Sequence, residues 1–285
     1  MENNTKMILA VLVTAIVCVA GTYVAVGGGD DSDGVTISIS GSTTVQPLMG
    51  IYKENYEKYT GVTLEIAGGG SGVGATNAIN GVSDIGMLSR DLKATEATEL
   101  KATIIAVDGV AVIVSAGTGV TDLTSVQIAK IFSKEITNWS EVGGASKAIA
   151  PISRQDGSGT RSCFDDAMKA AYPTYKVKDN VDIKPSTTEV IGAVEKSDKA
   201  IGYVSFGYLD NLDPTKSSAI KVDGIEATVE NVLKDVDPYP LSRNLILATK
   251  GAPKGAALVF ISWILSPEGQ KLAEDEGFIP VKPTA

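Results

Sequence analysis

The chain has 285 residues, 44% of them hydrophobic and 21% charged, which suffices to bury the core of one large domain or two smaller ones. Its 34 acidic residues against 25 basic ones give a formal net charge of -9, and this argues against a nucleic-acid partner, because phosphate backbones select basic faces. Histidine is absent, which removes the usual general base, the commonest metal ligand and every Ser/His/Asp arrangement, so no metal and no cofactor is expected.

From Met7 to Val26 the chain runs almost without charge. About 20 helical residues at roughly 1.5 Å each match a hydrocarbon core roughly 30 Å thick, so the run is expected to be an N-terminal transmembrane helix. A cleaved signal peptide is the alternative, with Cys18-Val19-Ala20 as its small-residue site; lipidation at Cys18 is disfavoured by Ile16 and Val17 before it. The segment GGGDDSDG that follows reads as a flexible tether, which places the remainder on the outer face of the membrane or, after cleavage, in solution outside the cytoplasm.

Val35 to Ser40 reads as a strand, Gly41 to Thr44 as a polar turn, and Gln46 to Tyr59 as a helix with Pro47 in its first turn. The same grammar recurs with Thr63 to Ala67 as a strand, Gly68 to Gly72 as a turn and Val73 to Asn80 as a helix. A short strand, Asp84 to Met87, then ends in Leu88-Ser89-Arg90. Strands alternating with helices predict an α/β fold in which ligands meet the carboxyl ends of the strands. Ile104 to Ser115 and Leu241 to Thr249 are strongly β-like and are expected to cross between two lobes. Between them lie expected helices at Ser125 to Phe132, Thr160 to Ala171 and Thr188 to Lys196, and a strand at Ala200 to Val204; Pro253 to Glu276 is helical with a break at Ser266-Pro267. The resulting division is 1–34 as anchor and tether, 35–112 with 243–285 as one lobe, and 113–242 as the other, with two hinge crossings between them.

Several turns put small hydroxyl residues and glycines at a strand's carboxyl end or before a helix. They are Ser42-Thr43-Thr44, Gly70-Ser71-Gly72, Ser89-Arg90, and the longer turn from Ser153 to Arg161, which holds Arg154, Asp156, Ser158, Gly159 and Thr160. Helix N-termini expose unpaired N–H groups and partial positive charge, and glycine lets backbone approach a ligand closely. Taken singly, Ser42, Ser71 or Ser158 reads as an N-cap. Together the turns describe a cage for a small oxyanion. Arg154 offers a planar fork to such an ion, with Asp156 expected to orient the fork; a surface ion pair beside a helix cap is the bland reading of the two. Arg90 reads either as a ligand or as a tie along the lobe edge.

Three stretches, SGSTTVQPL, GGGSGVGATNAINGVSDIG and SRQDGSGTRSCF, together resemble the phosphate-binding protein of the phosphate ABC importer, and AIGYVSFGYL and WILSPEGQKLAEDEGFIPV extend the likeness to the end of the chain. The resemblance implies a two-lobed periplasmic-binding-protein fold of type II, inorganic phosphate as ligand, and ABC permease and ATPase subunits as partners. It implies a first ligand loop at Thr43 and Thr44 beside Ser42, a second at Ser71, and an inter-lobe loop at Arg154, Ser158, Gly159 and Thr160, with Asp156 bracing the arginine. Well-known members carry a proton-accepting aspartate where this chain has Ser89. Sulfate, molybdate or tungstate therefore remains open as ligand. A phosphate-ester hydrolase is disfavoured, because no base stands near Ser158 and no lysine completes a nucleotide loop.

Overall fold

The computed structural model describes residues 34–281. The expected membrane anchor at 7–26 lies outside the described residues, and among the described residues no helix is long and apolar enough to cross a membrane. The first third follows the alternation read from the sequence. Strand β1 (Thr36–Gly41), helix α1 (Gln46–Thr60), strand β2 (Thr63–Ala67), helix α2 (Ser71–Asn80) and strand β3 (Ile85–Leu88) succeed one another. Helix α1 carries Pro47 in its first turn, where a missing N–H costs nothing, and stops at Gly61, whose φ of 69° is the left-handed conformation that glycine adopts freely. Strands β2 and β3 flank β1 in parallel, which brings the starts of α1 and α2 to the carboxyl edge of β1.

The long strand β4 (Leu100–Ser115) follows, four residues longer at its start than the β-rich run at Ile104 to Ser115 implies. The middle of the chain contains β5 (Asp122–Leu123), α3 (Ser125–Phe132), β6 (Ala150–Arg154), α4 (Gly159–Ala171), β7 (Asp182–Lys184), α5 (Thr187–Glu195), β8 (Ala200–Ser205), β9 (Ser217–Ala219), β10 (Lys221–Val222) and the single turn α6 (Val229–Val232). The chain ends with β11 (Ser242–Lys250), α7 (Gly255–Ile264), α8 (Pro267–Asp275) and β12 (Ile279–Pro280). The break expected at Ser266-Pro267 separates α7 from α8, and the Ser266 side chain caps α8 by accepting from the Gly269 N–H.

The main sheet has the order β2-β1-β3-β11-β4-β8-β6-β7. Strand β4 is its spine: residues 100–109 pair antiparallel with β11, whereas Val110 to Val114 pair antiparallel with β8. Apolar burial divides at the same place. Ile105 and Ala106 pack with Tyr52, Tyr56, Leu245, Phe260 and Trp263 in one core. Val110 to Val112 pack instead with Phe132, Trp139, Phe164 and Tyr203 in another. The chain thus passes between two cores twice, once along β4 near Asp108 and once where Leu241 leads into β11. A second, smaller cluster on each half covers the opposite face of the sheet, with α2 residues Ala75 and Ala78 in one and α5 residues Val190, Ile191 and Val194 in the other. Each half-sheet mixes parallel and antiparallel pairs, and helices on both of its faces are what the near-continuous apolar strands require.

Helix α2 lies unusually close to the sheet. A Cβ at Gly74 would sit 2.7 Å from the Met87 carbonyl oxygen and 2.8 Å from that of Ser40, so only a residue without a side chain lets α2 approach and deliver Ser71 to the sheet's edge. Gly74→Ala is expected to destabilise the fold by about 1–3 kcal/mol through overpacking. Urea unfolding checks this, and an unchanged midpoint would contradict the packing described.

Candidate functional site

Four helices begin at one place between the two halves: α1 and α2 on the first, α4 and α5 on the second. Each leaves its first N–H groups without intrahelical partners and contributes partial positive charge. The turns before them supply the hydroxyls. At the end of β1, the Ser42 N–H donates to the Met87 carbonyl, which holds the turn against β3, and the Ser42 Oγ donates to Ser89 Oγ at 3.0 Å. Ser71, the first residue of α2, accepts from the Ser89 N–H at 3.1 Å and lies 3.3 Å from Ser89 Oγ. Across the divide, Thr44 Oγ1 lies 3.0 Å from Thr160 Oγ1, in the first turn of α4. Ser158 caps α4 by accepting from the Arg161 N–H at 3.3 Å. Gly159 fits between the halves with no room to spare: a Cβ there would lie 2.4 Å from both Ser71 Oγ and Ser89 Oγ. A main-chain bond of 2.9 Å from the Gly72 N–H to the Gly157 carbonyl joins the two halves beside these hydroxyls.

Arg154, at the end of β6, is 1% exposed. Its Nε donates to the Lys184 carbonyl, Nη1 to Thr187 Oγ1 at 3.0 Å, and Nη2 to the Pro185 carbonyl at 2.9 Å and Thr43 Oγ1 at 3.0 Å. Every one of these acceptors is neutral. A buried guanidinium without a carboxylate is costly to hold, and burial accordingly pushes its pKa down to about 10, which leaves it cationic at neutral pH. Neutral dipoles keep it in place, and its charge remains available to an anion.

Two expected roles are corrected here. Asp156 does not orient Arg154. Its side chain is 95% exposed and pairs with Arg161 at 2.7 Å, because Gly157, with φ at 84°, turns the loop so that position 156 faces solvent. Three of the four acceptors that orient Arg154 come from the strand-to-helix turn Lys184–Thr187, and the fourth is Thr43 Oγ1. Arg90 is not turned to the hydroxyls either. Its two terminal nitrogens grip Glu96 at 2.7 and 2.8 Å, so it ties the segment after β3 together. Ser42, Thr43, Thr44, Ser71, Ser89, Arg154, Ser158, Gly159 and Thr160 are brought to one place.

Three groups at this place went unread in the sequence. Tyr208 donates its hydroxyl to the Thr43 carbonyl at 2.7 Å. Tyr203 donates to, or accepts from, Ser153 Oγ at 2.7 Å and accepts from the Arg154 N–H, fixing the end of β6. Arg243 forms a buried ion pair with Asp108 at 2.8 Å. A cavity of about 730 Å³ nearby is lined by Arg90, Lys93, Cys163, Asp166 and Asn244 among others, and none of the clustered hydroxyls opens into it. Among the described residues no group of three or more His, Cys, Asp or Glu is placed to hold a metal ion. Cys163 has its thiol pKa pushed up to about 11, by burial first, which leaves it a poor nucleophile.

Residues 27–268 match the PBP superfamily domain. The phosphate-binding protein PstS of Bacillus subtilis is 30% identical over an alignment that covers 99% of this chain and 95% of that protein. Among solved structures, a Clostridium perfringens substrate-binding protein assigned to phosphate ABC transport, with bound phosphate, is 41% identical, with a TM-score of 0.80 over 87% of this chain and 100% of its own. An ABC-type phosphate transport receptor from Vibrio cholerae is 30% identical, with a TM-score of 0.71 over 86% of this chain and all of its own.

The fit of Gly159 between the halves gives a direct test. Gly159→Ala places a methyl group against Ser71 and Ser89 and is expected to wedge the halves apart, raising the radius of gyration by small-angle scattering while leaving the far-ultraviolet spectrum unchanged. Identical scattering from both proteins would show that the two faces do not meet at this residue.

Proposed function

The chain belongs to the PBP superfamily and, within it, to the phosphate-binding proteins named PstS, and from that premise we propose how its residues capture an anion for an ABC importer. It is a substrate-binding protein that captures phosphate, not an enzyme. The observation that carries the site is Arg154: a buried cation with only neutral partners, where four helices begin and hydroxyls from both halves converge.

Residues 35–112 with 243–285 form one lobe, and 113–242 form the other. In the open protein the hydroxyls of each lobe are hydrated. Phosphate first meets Ser42, Thr43, Thr44, Ser71 and Ser89 on one lobe. Closure then brings Arg154, Ser158, Gly159 and Thr160 onto the remaining oxygens. The bonds of Thr44 with Thr160, and of Arg154 with Thr43, are exchanged for bonds to the ion, and each bond to a charged group contributes roughly 1.5–3 kcal/mol. About six such bonds offset the ion's desolvation and leave micromolar or tighter binding, about -8 kcal/mol or better. Closure itself reports occupancy to the permease and ATPase. The protein works outside the cytoplasm, tethered by the apolar run at 7–26.

Of the side chains assigned to the ion on the two lobes, Arg154 alone is charged; the Asp108 carboxylate nearby is already engaged by Arg243. A proton on the bound phosphate is therefore accepted by a hydroxyl, Ser89 being the most central, and not by a carboxylate. This supports a site that recognises the tetrahedral shape and charge of the ion, with preference for phosphate resting on how the hydroxyls divide between donating and accepting.

Calorimetric titration of the protein with phosphate, sulfate and molybdate tests the assignment. Phosphate is expected to bind tightest, and Arg154→Ala to weaken it at least about tenfold by deleting a charge-assisted contact. Undiminished phosphate binding by Arg154→Ala would remove the guanidinium from the site, and tighter binding of molybdate than of phosphate would reassign the ligand.

A further inference from the structure

Arg243 has no role in the cage as described, yet it touches it. It stands on β11 directly opposite Asp108 of β4, where both passages between the cores come together. Its Nε and Nη2 donate to Asp108 Oδ2 at 3.2 and 2.8 Å, and Nη2 also reaches Thr44 Oγ1 at 3.4 Å. Thr44 Oγ1 is the same atom that meets Thr160 from the other half. The other terminal nitrogen, Nη1, is buried and has no partner among the described residues.

Asp108 is already fully engaged. Its Oδ2 takes both bonds from Arg243, while its Oδ1 accepts from Ser205 Oγ at 2.8 Å and from the Phe206 N–H at 3.2 Å. A carboxylate oxygen has two lone pairs, so neither oxygen has room for Nη1. Orphaned buried donors are expensive, more so on a charged group, and persist where something else answers them. Arg243 also lies near enough to Arg154 that, after burial itself, its charge is among the influences that depress the Arg154 pKa. Two guanidinium groups in one buried region share a demand for negative charge, which a single carboxylate does not meet.

We infer that Arg243 is a positioning residue of the anion cage: clamped by Asp108 at the junction of the two halves, it fixes Thr44 Oγ1 toward the anion and adds a second positive charge behind it. The inference rests on the phosphate reading above and extends it to the junction. Arg243 and Asp108 belong to the strands that pass between the cores, and Ser205 and Phe206, which hold Asp108, begin the segment that carries Tyr208 to the Thr43 carbonyl. The first ligand loop is thus held from the junction on two sides.

The pair offers substitutions that separate charge from architecture. Asp108→Asn keeps the shape and an amide oxygen that can accept from Arg243 but removes the local negative charge, whereas Arg243→Gln keeps much of the reach and removes the positive charge. Both break the same buried ion pair and both are expected to lower the unfolding temperature. Affinity for inorganic phosphate is expected to move in opposite directions, weakening about 10- to 100-fold in Arg243→Gln and holding or tightening in Asp108→Asn. Arg243→Lys, which retains the charge and is the milder change, carries the test if Arg243→Gln does not fold: it is expected to weaken binding about tenfold, and to do so far less in a Thr44→Val background, because the fork acts through that hydroxyl. Parallel weakening in Asp108→Asn and Arg243→Gln, or an Arg243→Lys effect of the same size with and without Thr44, would overturn the inference and leave the pair as scaffold. Failure of the unaltered protein to bind phosphate would instead strike the reading on which the inference rests.

Discussion

Everything about this molecule turns on a positive charge placed where water cannot solvate it and no carboxylate neutralises it. Arg154 is held by two main-chain carbonyls, one accepting from Nε and one from Nη2, and by the hydroxyls of Thr187 and Thr43, and none of these carries a charge. Such a group is destabilising in isolation. The fold sustains it by spreading the cost over two cores and by surrounding it with hydroxyls that turn to donate or accept as needed. The same arrangement that is a burden without an anion is the source of affinity with one. In this sense the negative net charge of the chain matters little at the site, because local dipoles and one guanidinium outweigh distant carboxylates screened by solvent.

The sheet explains how residues more than a hundred positions apart meet. Thr44 and Thr160 touch because β4 extends through both halves, so that one strand carries the register of each. Glycines then set the closeness of approach. Gly74 allows α2 to press on β1 and β3, and Gly159 allows the start of α4 to reach Ser71 and Ser89. Where side chains would intervene, backbone does instead, as in the bond between Gly72 and Gly157. Specific recognition is thereby built from main-chain geometry and short hydroxyls, which leave few rotamers to freeze on binding.

Much of this was legible in the order of residues, and the reasons are physical. A strand, a short polar turn and a helix start leave a recognisable mark, so the turns that hold Ser42, Thr43, Thr44, Ser71, Ser158 and Thr160 can be picked out from the order of residues alone. Helix α1, expected over Gln46 to Tyr59, runs one residue further, to Thr60, with Pro47 in its first turn as the sequence implies. What escaped reading were contacts that depend on tertiary approach. Thr187 lies 33 positions from Arg154, and the three-residue strand β7 that brings it near has no periodicity to betray it. Asp108 sits inside an apolar stretch, where a lone charge signals burial without naming its partner, and Arg243 stands between Ser242 and Asn244 at a strand's start, where nothing signals burial at all. Asp156 misled for the opposite reason: nearness in sequence suggested a pair with Arg154, whereas Arg154 ends a strand and Asp156 already lies in the turn that follows, where it faces Arg161. Of the two readings open for Arg90, ligand or tie, the structure shows a tie, because Glu96, six residues on, satisfies its fork locally.

The central claim is that hydroxyls and a guanidinium from both halves exchange their bonds to one another for bonds to one shared anion. A crystal structure of the protein grown with phosphate tests it most directly. The account predicts one phosphate ion between the halves, its oxygens within about 3 Å of Arg154 and of the hydroxyls of Thr43, Ser71, Ser158 and Thr160. Phosphate seated elsewhere, as in the 730 Å³ cavity beside Arg90 and Cys163, with Thr44 still bonded to Thr160 and Thr43 to Arg154, would contradict it.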